Sequence, residues 1–281
     1  MIHKYRFEAM TTPCEMQFVC DNHSVADACA QAVLKETKRL EQKYNYFNPN
    51  SYLSKINNRK EKHLDSESKQ LLQRAKLYYN KTHGLFDITV ATLKDNFFQK
   101  SLKEFHFCHD KLYQFVGCEH FEINKNNIKF DNEFTKIDLG GFVKEYAVDK
   151  AVLILKKYKI KSGYVNFGGD VFVLGKKSNN TKYTVGIKNP KDPSKNILSV
   201  ELENQALTTS ASYERNYHIE DKEFSHIISK NPSSQDILSA TVVSNSCVES
   251  GVYSTVLMIK KIDIKKDFYL IDENLNIIYN D

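Results

Sequence analysis

The sequence predicts an α+β fold, with helices mainly in the N-terminal half and antiparallel strands mainly in the C-terminal half. Two long stretches, Ser24–Tyr44 and Ser66–Thr82, carry apolar residues at helical spacing with lysine and glutamate between them. The later part of the chain changes to short alternating segments bounded by turn residues, of which Gly163–Gly175 is the clearest. Because the two patterns are segregated along the chain, they do not indicate a regular βαβ repeat.

Composition and charge exclude several classes of protein. The 281 residues carry a net charge of +5 with lysines spread along the chain, whereas a dedicated nucleic-acid surface would cluster them. No apolar run approaches the length of a membrane span, so we expect no membrane segment. The N-terminal stretch has no hydrophobic signal core, and the six cysteines have no framework spacing. Both observations predict a cytoplasmic protein with free thiols.

The other predicted elements are shorter. Lys4–Cys20 is typical of a hairpin, and Tyr46–Ser51 of a turn-rich loop that leads into a short helix. Phe97–Asn132 has no clear pattern, and we expect short strands and loops there. Near the C-terminus, Ser239–Ser244 is predicted as a strand and Cys247–Ile259 as a helix.

The stretch Lys136–Asp149 combines a glycine pair with the start of a helix. Residues 134–139 are predicted as an extended, partly buried segment, and a helical pattern follows Gly140-Gly141. Glycines let the backbone approach a ligand, and a helix N-terminus offers N–H groups and a positive dipole end to an anion. Asp138 and Lys144 flank the pair and could hold a sugar or ring edge and a phosphate. An ordinary strand-to-helix turn with a surface lysine is the alternative.

Two further segments carry polar groups at predicted strand ends. In Gly163–Gly175, Asp170 follows a glycine pair and is either a turn residue or a support for the Gly140-Gly141 turn. The run Thr208-Thr209-Ser210 offers hydroxyls that could hold phosphate oxygens, although such clusters are also ordinary strand and turn chemistry.

Taken together, these motifs resemble the ApbE family of FAD:protein FMN transferases. The matching blocks fall in family order over nearly the whole chain, and it is their order that makes the match specific. They are EAMTTPCEM (Glu8–Met16), YFNPNSYLSKIN (Tyr46–Asn57), GLFDITVATL (Gly84–Leu93), KIDLGGFVKEYAVDKA (Lys136–Ala151), GYVNFGGDVFVLG (Gly163–Gly175), VGIKNP (Val185–Pro190), LTTSASYERNY (Leu207–Tyr217), FSHI (Phe224–Ile227) and ESGVYSTVLMI (Glu249–Ile259).

The resemblance implies a fold and an activity. It implies an ApbE-like (T-fold-like) single large domain over residues 1–281. It also implies that FAD binds with Mg²⁺, that a Ser or Thr hydroxyl of an acceptor flavoprotein with a target motif attacks the FMN phosphorus, and that AMP leaves. No nucleic-acid or membrane partner is expected. Two alternatives stay open, namely an FAD pyrophosphatase that gives AMP and FMN, and a flavin-binding protein without catalysis.

The resemblance also implies which positions contact FAD. Residue chemistry alone leaves alternatives for three of them, because Met10 suits core packing, Phe47 suits a loop anchor and Asp87 suits a cap of the following segment. The implied FAD-binding positions are Met10, Phe47, Leu85, Phe86, Asp87, Asp138, Lys144 and Ile228.

The implied catalytic positions are His226 and Thr209. His226 would take the attacking proton, since histidine is the commonest acid–base side chain at neutral pH. A satisfied packing role on a strand is the alternative for this histidine. The turn that follows His226 departs from the family pattern.

The implied metal site shows the main departure from the family. The usual pattern places an aspartate one helical turn before a threonine; Thr255 is present, but Gly251 stands in the aspartate position. Glu249 is close in sequence, but it points elsewhere on a helix. Mg²⁺ would then rest on Thr255, a carbonyl at Gly141 and the ligand phosphates, so metal binding is expected to be weak until FAD arrives.

Overall fold

The computed structural model describes residues 1–94, 99, 101–212, 216–225 and 237–280, and an eight-stranded antiparallel sheet runs through it. The strands, numbered in chain order, are β1 (Ile2–Ala9), β2 (Thr12–Val19), β3 (Phe121–Asn124), β4 (Asn127–Phe130), β5 (Gly163–Phe167), β6 (Asp170–Leu174), β7 (Tyr183–Asn189), β8 (Asp192–Leu202), β9 (Gln205–Ala211), β10 (Asn216–Ile219), β11 (Lys222–Ser225), β12 (Ile237–Ser244), β13 (Phe268–Asp272) and β14 (Ile277–Tyr279).

The order of strands brings two hairpin turns to one end of the sheet. In the β1–β2 hairpin Ala9 lies opposite Thr12, and in the β5–β6 hairpin Phe167 lies opposite Asp170. Strands β2 and β5 pair with each other, so the two turns are neighbours. The full order is β1-β2-β5-β6-β9-β12-β13-β14, while β3–β4, β7–β8 and β10–β11 form separate two-stranded ribbons.

Most of the longer helices begin at a side-chain cap. The helices are α1 (His23–Tyr44), α2 (Tyr52–Asn57), α3 (Ser66–Lys81), α4 (Ala91–Lys94), α5 (Leu102–Leu112), α6 (Gly140–Lys157) and α7 (Cys247–Ile259). Asn22, Asp65, Ser101 and Ser246 cap α1, α3, α5 and α7 by accepting a backbone N–H from the first turn. Helix α6 follows Leu139, whose side chain gives no such cap.

Three helices cover one face of the sheet. Helix α1 packs on β1 and on α6, α6 packs on β5 and β6, and α7 packs on β9 and β12. The rings of Phe18, Phe142 and Phe167 are fully buried between these layers. Burial of each such side chain contributes roughly 1.5–3 kcal/mol, so this layer is the main core of the protein.

The opposite face of the sheet is covered in part by the β7–β8 ribbon. Ile187 and Leu202 of the ribbon pack against Val173, Leu207 and Val243 of the sheet. Because side chains alternate along a strand, odd-numbered residues of β9 such as Leu207 face this ribbon, and even-numbered residues face α7. No helix in the described part of the chain is long and apolar enough to cross a bilayer.

The structure confirms the predicted hairpin at Lys4–Cys20 and the predicted helices over Ser24–Tyr44, Ser66–Thr82 and Cys247–Ile259. The prediction for Phe97–Asn132 was wrong in part, because α5 lies there ahead of the β3–β4 hairpin. Within helix α5 only Phe105 is buried.

The extended segment at residues 134–139 is not a strand of any sheet. Side-chain and loop bonds hold it instead: the Ile137 N–H donates to Asn57 Oδ1 at 2.8 Å, and Asn57 Nδ2 donates to the Ile137 carbonyl at 2.8 Å. The Asp138 N–H donates to the Ile88 carbonyl at 2.9 Å. The backbone that leads into α6 is therefore fixed without sheet pairing.

Replacement of Asp149 by alanine should destabilise the docking of α7. Its carboxylate accepts the N–H groups of Cys247 at 2.8 Å and Val248 at 3.2 Å, both in the buried first turn of α7. Loss of this acceptor leaves buried donors unpaired and should lower the free energy of unfolding by about 1–3 kcal/mol. Urea denaturation of D149A measures this, with the exposed-site variant D263A as the matched control. Equal losses in both variants would contradict the capping role.

Candidate active site

Two turns meet at the end of the sheet next to α6. Met10 and Thr11 form the β1–β2 turn with φ of 53° and 58°, and the Met10 N–H donates to Glu41 of α1 at 2.5 Å. In the β5–β6 turn, Gly168 has φ of 61° and donates its N–H to the Pro13 carbonyl at 3.0 Å. A Cβ on Gly168 would lie 2.0 Å from the Thr12 hydroxyl, so the close contact of the two turns requires glycine there.

The first turn of α6 is open to solvent. Gly140 and Gly141 are both exposed, and no described atom lies within 4 Å of the position that a Cβ on Gly141 would take. The Gly140 N–H donates to Asp138 Oδ1 at 2.9 Å, and Gly141 departs from helical geometry with φ of −90° and ψ of 24°. The positive end of the helix dipole therefore faces accessible space, as an anion site requires.

A buried ion pair joins α6 to the sheet directly beside this turn. Lys144 Nζ lies 2.9 Å from Asp170 Oδ2, and Asp170 is 1% exposed. Burial raises the pKa of Asp170, and the Lys144 ammonium opposes that rise. Asp170 is thus more than a turn residue, because it supports the start of α6. The predicted phosphate ligand Lys144 is held within the site by this contact.

Glu145 is a second buried acid at the same place. Burial and the neighbouring Asp170 carboxyl, which is in hydrogen-bond contact with Glu145, raise the pKa of Glu145. Its Oε2 has no described partner besides that carboxyl. The side chain projects towards Gly251 of α7, where an added Cβ would lie only 2.6 Å from Glu145 Cγ. The glycine at position 251 therefore makes room for the glutamate at position 145.

Hydroxyl groups connect β9 to α7. Thr208 Oγ1 lies 3.0 Å from Ser250 Oγ, and Ser210 Oγ lies 2.8 Å from Ser254 Oγ and 3.2 Å from Thr255 Oγ1. Thr255 is half-buried and follows Gly251 by one helical turn. The face of α7 that carries the predicted metal ligand Thr255 is thus lined by polar oxygen atoms.

Thr209, predicted as catalytic, lies on the other face of the sheet. Its hydroxyl is 2.8 Å from Thr241 Oγ1 on β12, while its neighbours on β9 face α7. The structure therefore does not bring Thr209 to Thr255. Ser210 is the β9 residue that lies beside Thr255. The run of three hydroxyl residues carries no sequence signal that distinguishes Ser210 from Thr209.

Phe47 and Asp138 are brought together by Lys94, which the sequence analysis did not single out. Lys94 Nζ lies 2.5 Å from Asp138 Oδ2 and 4.5 Å from the centroid of the Phe47 ring. The Phe47 ring is 62% exposed, so its free face is available for stacking. The position of Lys94 at the end of the block Gly84–Leu93 was the only signal that could have found it.

The segment Leu85-Phe86-Asp87 lies behind the start of α6. Phe86 is buried with its ring centroid 5.7 Å from that of Phe142, and Leu85 is half-buried. Asp87 accepts the Thr89 N–H at 2.8 Å and the Thr89 hydroxyl at 2.6 Å, which confirms the capping interpretation. Burial raises the pKa of Asp87, and the bonds from Thr89 oppose the rise. Contacts of this segment with FAD stay a prediction.

Two predicted site residues, His226 and Ile228, lie outside the described residues. Within the part that the structure describes, no group of three or more His, Cys, Asp or Glu side chains is arranged to hold a metal ion. A Mg²⁺ ion that binds with a substrate needs fewer, since one or two carboxylates with phosphate oxygens and waters complete its shell.

Sequence comparison relates this chain to one family. The sequence model of the ApbE family matches residues 10–277. A protein of Buchnera aphidicola subsp. Schizaphis graminum named FAD:protein FMN transferase is 28% identical over 226 residues, which cover 75% of this chain and 66% of that relative. A protein of Chlamydia pneumoniae with the same name is 28% identical over 241 residues, covering 78% of this chain and 72% of the relative.

Solved structures share the fold. The ApbE protein of Thermotoga maritima superposes with a TM-score of 0.89 at 22% identity, covering 99% of this chain and 97% of the other. The flavin transferase ApbE of Vibrio cholerae gives a TM-score of 0.85 at 18% identity, covering 100% and 96%. At these identities the likeness shows the fold, and it confirms the predicted ApbE-like α+β class.

Replacement of Glu145 by glutamine should flatten the pH dependence of stability in metal-free buffer. A folded-state pKa raised above its ordinary 4.5 means that the folded protein favours the protonated acid. The free energy of unfolding is then greatest below pH 4.5, and it falls as the pH rises towards the folded-state pKa. E145Q should therefore melt a few degrees above the wild type at pH 9, at about 2–4 °C for each kcal/mol, and much closer to it at pH 4.5.

Thermal melts of both proteins between pH 4.5 and 9 measure this difference, with E122Q as an exposed control. If the difference in melting temperature between E145Q and the wild type were the same at every pH in that range, a buried, weakly ionised Glu145 would be contradicted.

Proposed function

Because the chain belongs to the ApbE family, we propose that it is an FAD:protein FMN transferase. In this reaction a Ser or Thr hydroxyl of an acceptor flavoprotein attacks the FMN phosphorus of FAD. A new P–O ester bond forms, the bond from that phosphorus to the bridging oxygen breaks, AMP leaves with the bridging oxygen, and the hydroxyl gives up its proton. The chain spans about two thirds of the Buchnera relative, so the activity rests on the site as well as on the family.

The observation that carries the proposal is the solvent-exposed start of α6 beside a cationic side chain. Phosphoryl transfer requires positioning and charge neutralisation more than covalent help from the enzyme. The Gly140 N–H is bonded to Asp138, so the exposed turn would offer the Gly141 N–H and the positive end of the helix dipole to a phosphate, and Lys144 lies one turn further along the helix. The same end of the sheet carries the Met10 turn, which suits the flavin end of an extended dinucleotide.

The Phe47–Lys94–Asp138 cluster is proposed to hold a ring and ribose of FAD. An exposed aromatic ring stacks on a flat heterocycle, and the Asp138 carboxylate accepts hydrogen bonds from hydroxyl or ring N–H groups. Leu85, Phe86 and Asp87 lie behind α6 and would contribute mainly backbone contacts, because Phe86 is buried and Asp87 is already bonded to Thr89. Ile228 is proposed to complete the FAD contacts.

The polar groups beside α7 fit a divalent cation. Thr255 is half-buried on α7, and a buried carboxylate oxygen of Glu145 has no described partner besides the carboxyl of Asp170. When bound, Mg²⁺ would neutralise negative charge on the FAD phosphates. Thr255 and the carbonyl of Gly141 are proposed to hold the ion.

The remaining roles are proposals as well. His226 is proposed to take the proton of the attacking hydroxyl. Of the β9 hydroxyls, Ser210 rather than Thr209 faces Thr255, so a catalytic role for Thr209 has less support. We also propose that residues 1–281 act as one domain in the cytoplasm, for which the six free cysteines give support.

The deciding experiment measures AMP release from FAD with and without Mg²⁺, in the presence of a candidate acceptor domain. Release of AMP together with FMN fixed on the acceptor would support the transferase. Release of AMP with only free FMN would favour the pyrophosphatase alternative, in which water is the nucleophile. Binding of FAD without AMP release from any of several acceptor domains would leave a flavin-binding protein and would contradict the proposal.

Replacement of Phe47 by alanine should weaken FAD binding with little effect on stability. Its ring is 62% exposed, so only ligand stacking should be lost, at about 1–1.4 kcal/mol or a five- to tenfold higher Kd. Titration by FAD fluorescence measures this. The matched control is F107A, because Phe107 is 61% exposed and also lies under a lysine, with Lys111 Nζ 4.2 Å from the ring centroid.

An unchanged Kd in F47A, or an equal loss in F107A, would contradict the assignment of Phe47 to the FAD site.

A further inference from the structure

Glu145 is buried where an acid is costly. It is 6% exposed, and the carboxylate of Asp170 and the ammonium of Lys144 are its charged neighbours. Two carboxyl groups therefore share one lysine. Buried carboxylates are retained when they are paired or bound to a metal, and Glu145 Oε2 has no described partner besides the carboxyl of Asp170, which is itself an acid. The charge balance of this cluster is completed either by a proton or by a cation.

The Glu145 side chain fills the space that a side chain at position 251 would need. A Cβ at Gly251 would lie 2.6 Å from Glu145 Cγ, 3.2 Å from Cδ and 3.3 Å from Oε1. Any side chain at position 251 would therefore overlap the glutamate. An aspartate at position 251 and a glutamate at position 145 would direct their carboxylates to the same place from two different helices.

Each of these two positions is one helical turn from a predicted metal ligand. Gly141 precedes Glu145 by one turn of α6, and Thr255 follows Gly251 by one turn of α7. The backbone of Gly141 departs from helical geometry, so the sequence spacing places its carbonyl in the turn before Glu145 without fixing a shared helix face. The hydroxyl of Thr255 lies on the facing side of α7, beside Ser210.

We propose that Glu145 supplies the protein carboxylate for the divalent cation in this chain, in the place left free by Gly251. Compared with the usual family pattern, the acid is on α6 and not on α7, and its negative charge is in the same part of the site. This inference rests on the proposed function, in which Mg²⁺ binds with FAD. Oxygen ligands from one carboxylate, one hydroxyl and the substrate phosphates are the set that Mg²⁺ prefers.

The competing interpretation is a purely structural acid. In that case Glu145 shares a proton with Asp170 and fills the space beside Gly251, and the cation binds elsewhere. The two interpretations differ in one measurable property. A metal-binding glutamate is needed for cation affinity, whereas a structural acid can be replaced by glutamine without a change in cation affinity.

The test uses Mn²⁺ as a probe for the cation, measured by the EPR signal of free Mn²⁺ in titrations of the full chain with and without FAD. We expect E145Q to bind Mn²⁺ at least tenfold more weakly than the wild type, while its FAD affinity changes less. The matched control is E249Q, which removes a nearby acid of α7 that pairs with Lys266 at 3.1 Å. E249Q should bind Mn²⁺ as the wild type does.

The exchange variant E145G/G251D returns the acid to α7. Because the added aspartate no longer meets a glutamate, this variant should fold and should bind Mn²⁺ within about threefold of the wild type. Unchanged Mn²⁺ affinity in E145Q would overturn the proposal. Failure of the folded exchange variant, with normal FAD affinity, to bind Mn²⁺ would also overturn it.

The outcomes for the metal ligand and for the proposed function are separate. If E145Q weakens Mn²⁺ binding but the wild type releases no AMP, Glu145 is still a metal ligand and the transferase assignment is wrong. A wild-type protein that binds FAD but no Mn²⁺ overturns the role of Glu145, and AMP release then decides the function independently.

Discussion

The buried ion pair between Lys144 and Asp170 is the contact on which the arrangement of the site depends. Asp170 directly follows the β5–β6 turn, and Lys144 lies one turn into α6, so the pair fixes the helix start against the end of the sheet. Removal of one member of a buried pair leaves the other charge unpaired, at a cost of about 3–5 kcal/mol. The glycine turn can therefore stay accessible to solvent, because its position is set from the next turn of the helix.

Much of the fold follows from apolar periodicity, and the exceptions are segments in which the apolar pattern and the burial of side chains do not coincide. Helix α1 is predicted correctly because its buried residues form a continuous stripe. Helix α5 is not, because it buries only Phe105 and its cap at Ser101 lies in a stretch rich in polar and aromatic residues. The segment at residues 134–139 has a strand-like sequence but is not part of a sheet. The side-chain amide of Asn57 makes the backbone hydrogen bonds that a neighbouring strand would otherwise make.

The site is less predictable because its members are selected by contacts between distant segments. The run Thr208-Thr209-Ser210 contains three suitable hydroxyls, and only the pairing of β9 with β12 decides which of them face α7. Lys94 is part of the site because it pairs with Asp138, which lies on a distant segment of the chain. Glu145 is an ordinary polar position of a helix in the sequence, and its burial becomes visible only when α7 is packed against α6.

The contact between Gly251 and Glu145 has an evolutionary consequence. A move of the acid from α7 to α6 takes two substitutions. The intermediate after the first substitution has either both acids, which is crowded, or neither, which lacks the charge. Two acidic positions that exclude each other sterically are therefore expected to change as a pair. Among related chains, glycine at one of the two positions should accompany a carboxylate at the other, and lineages with either arrangement should be separated by few intermediates.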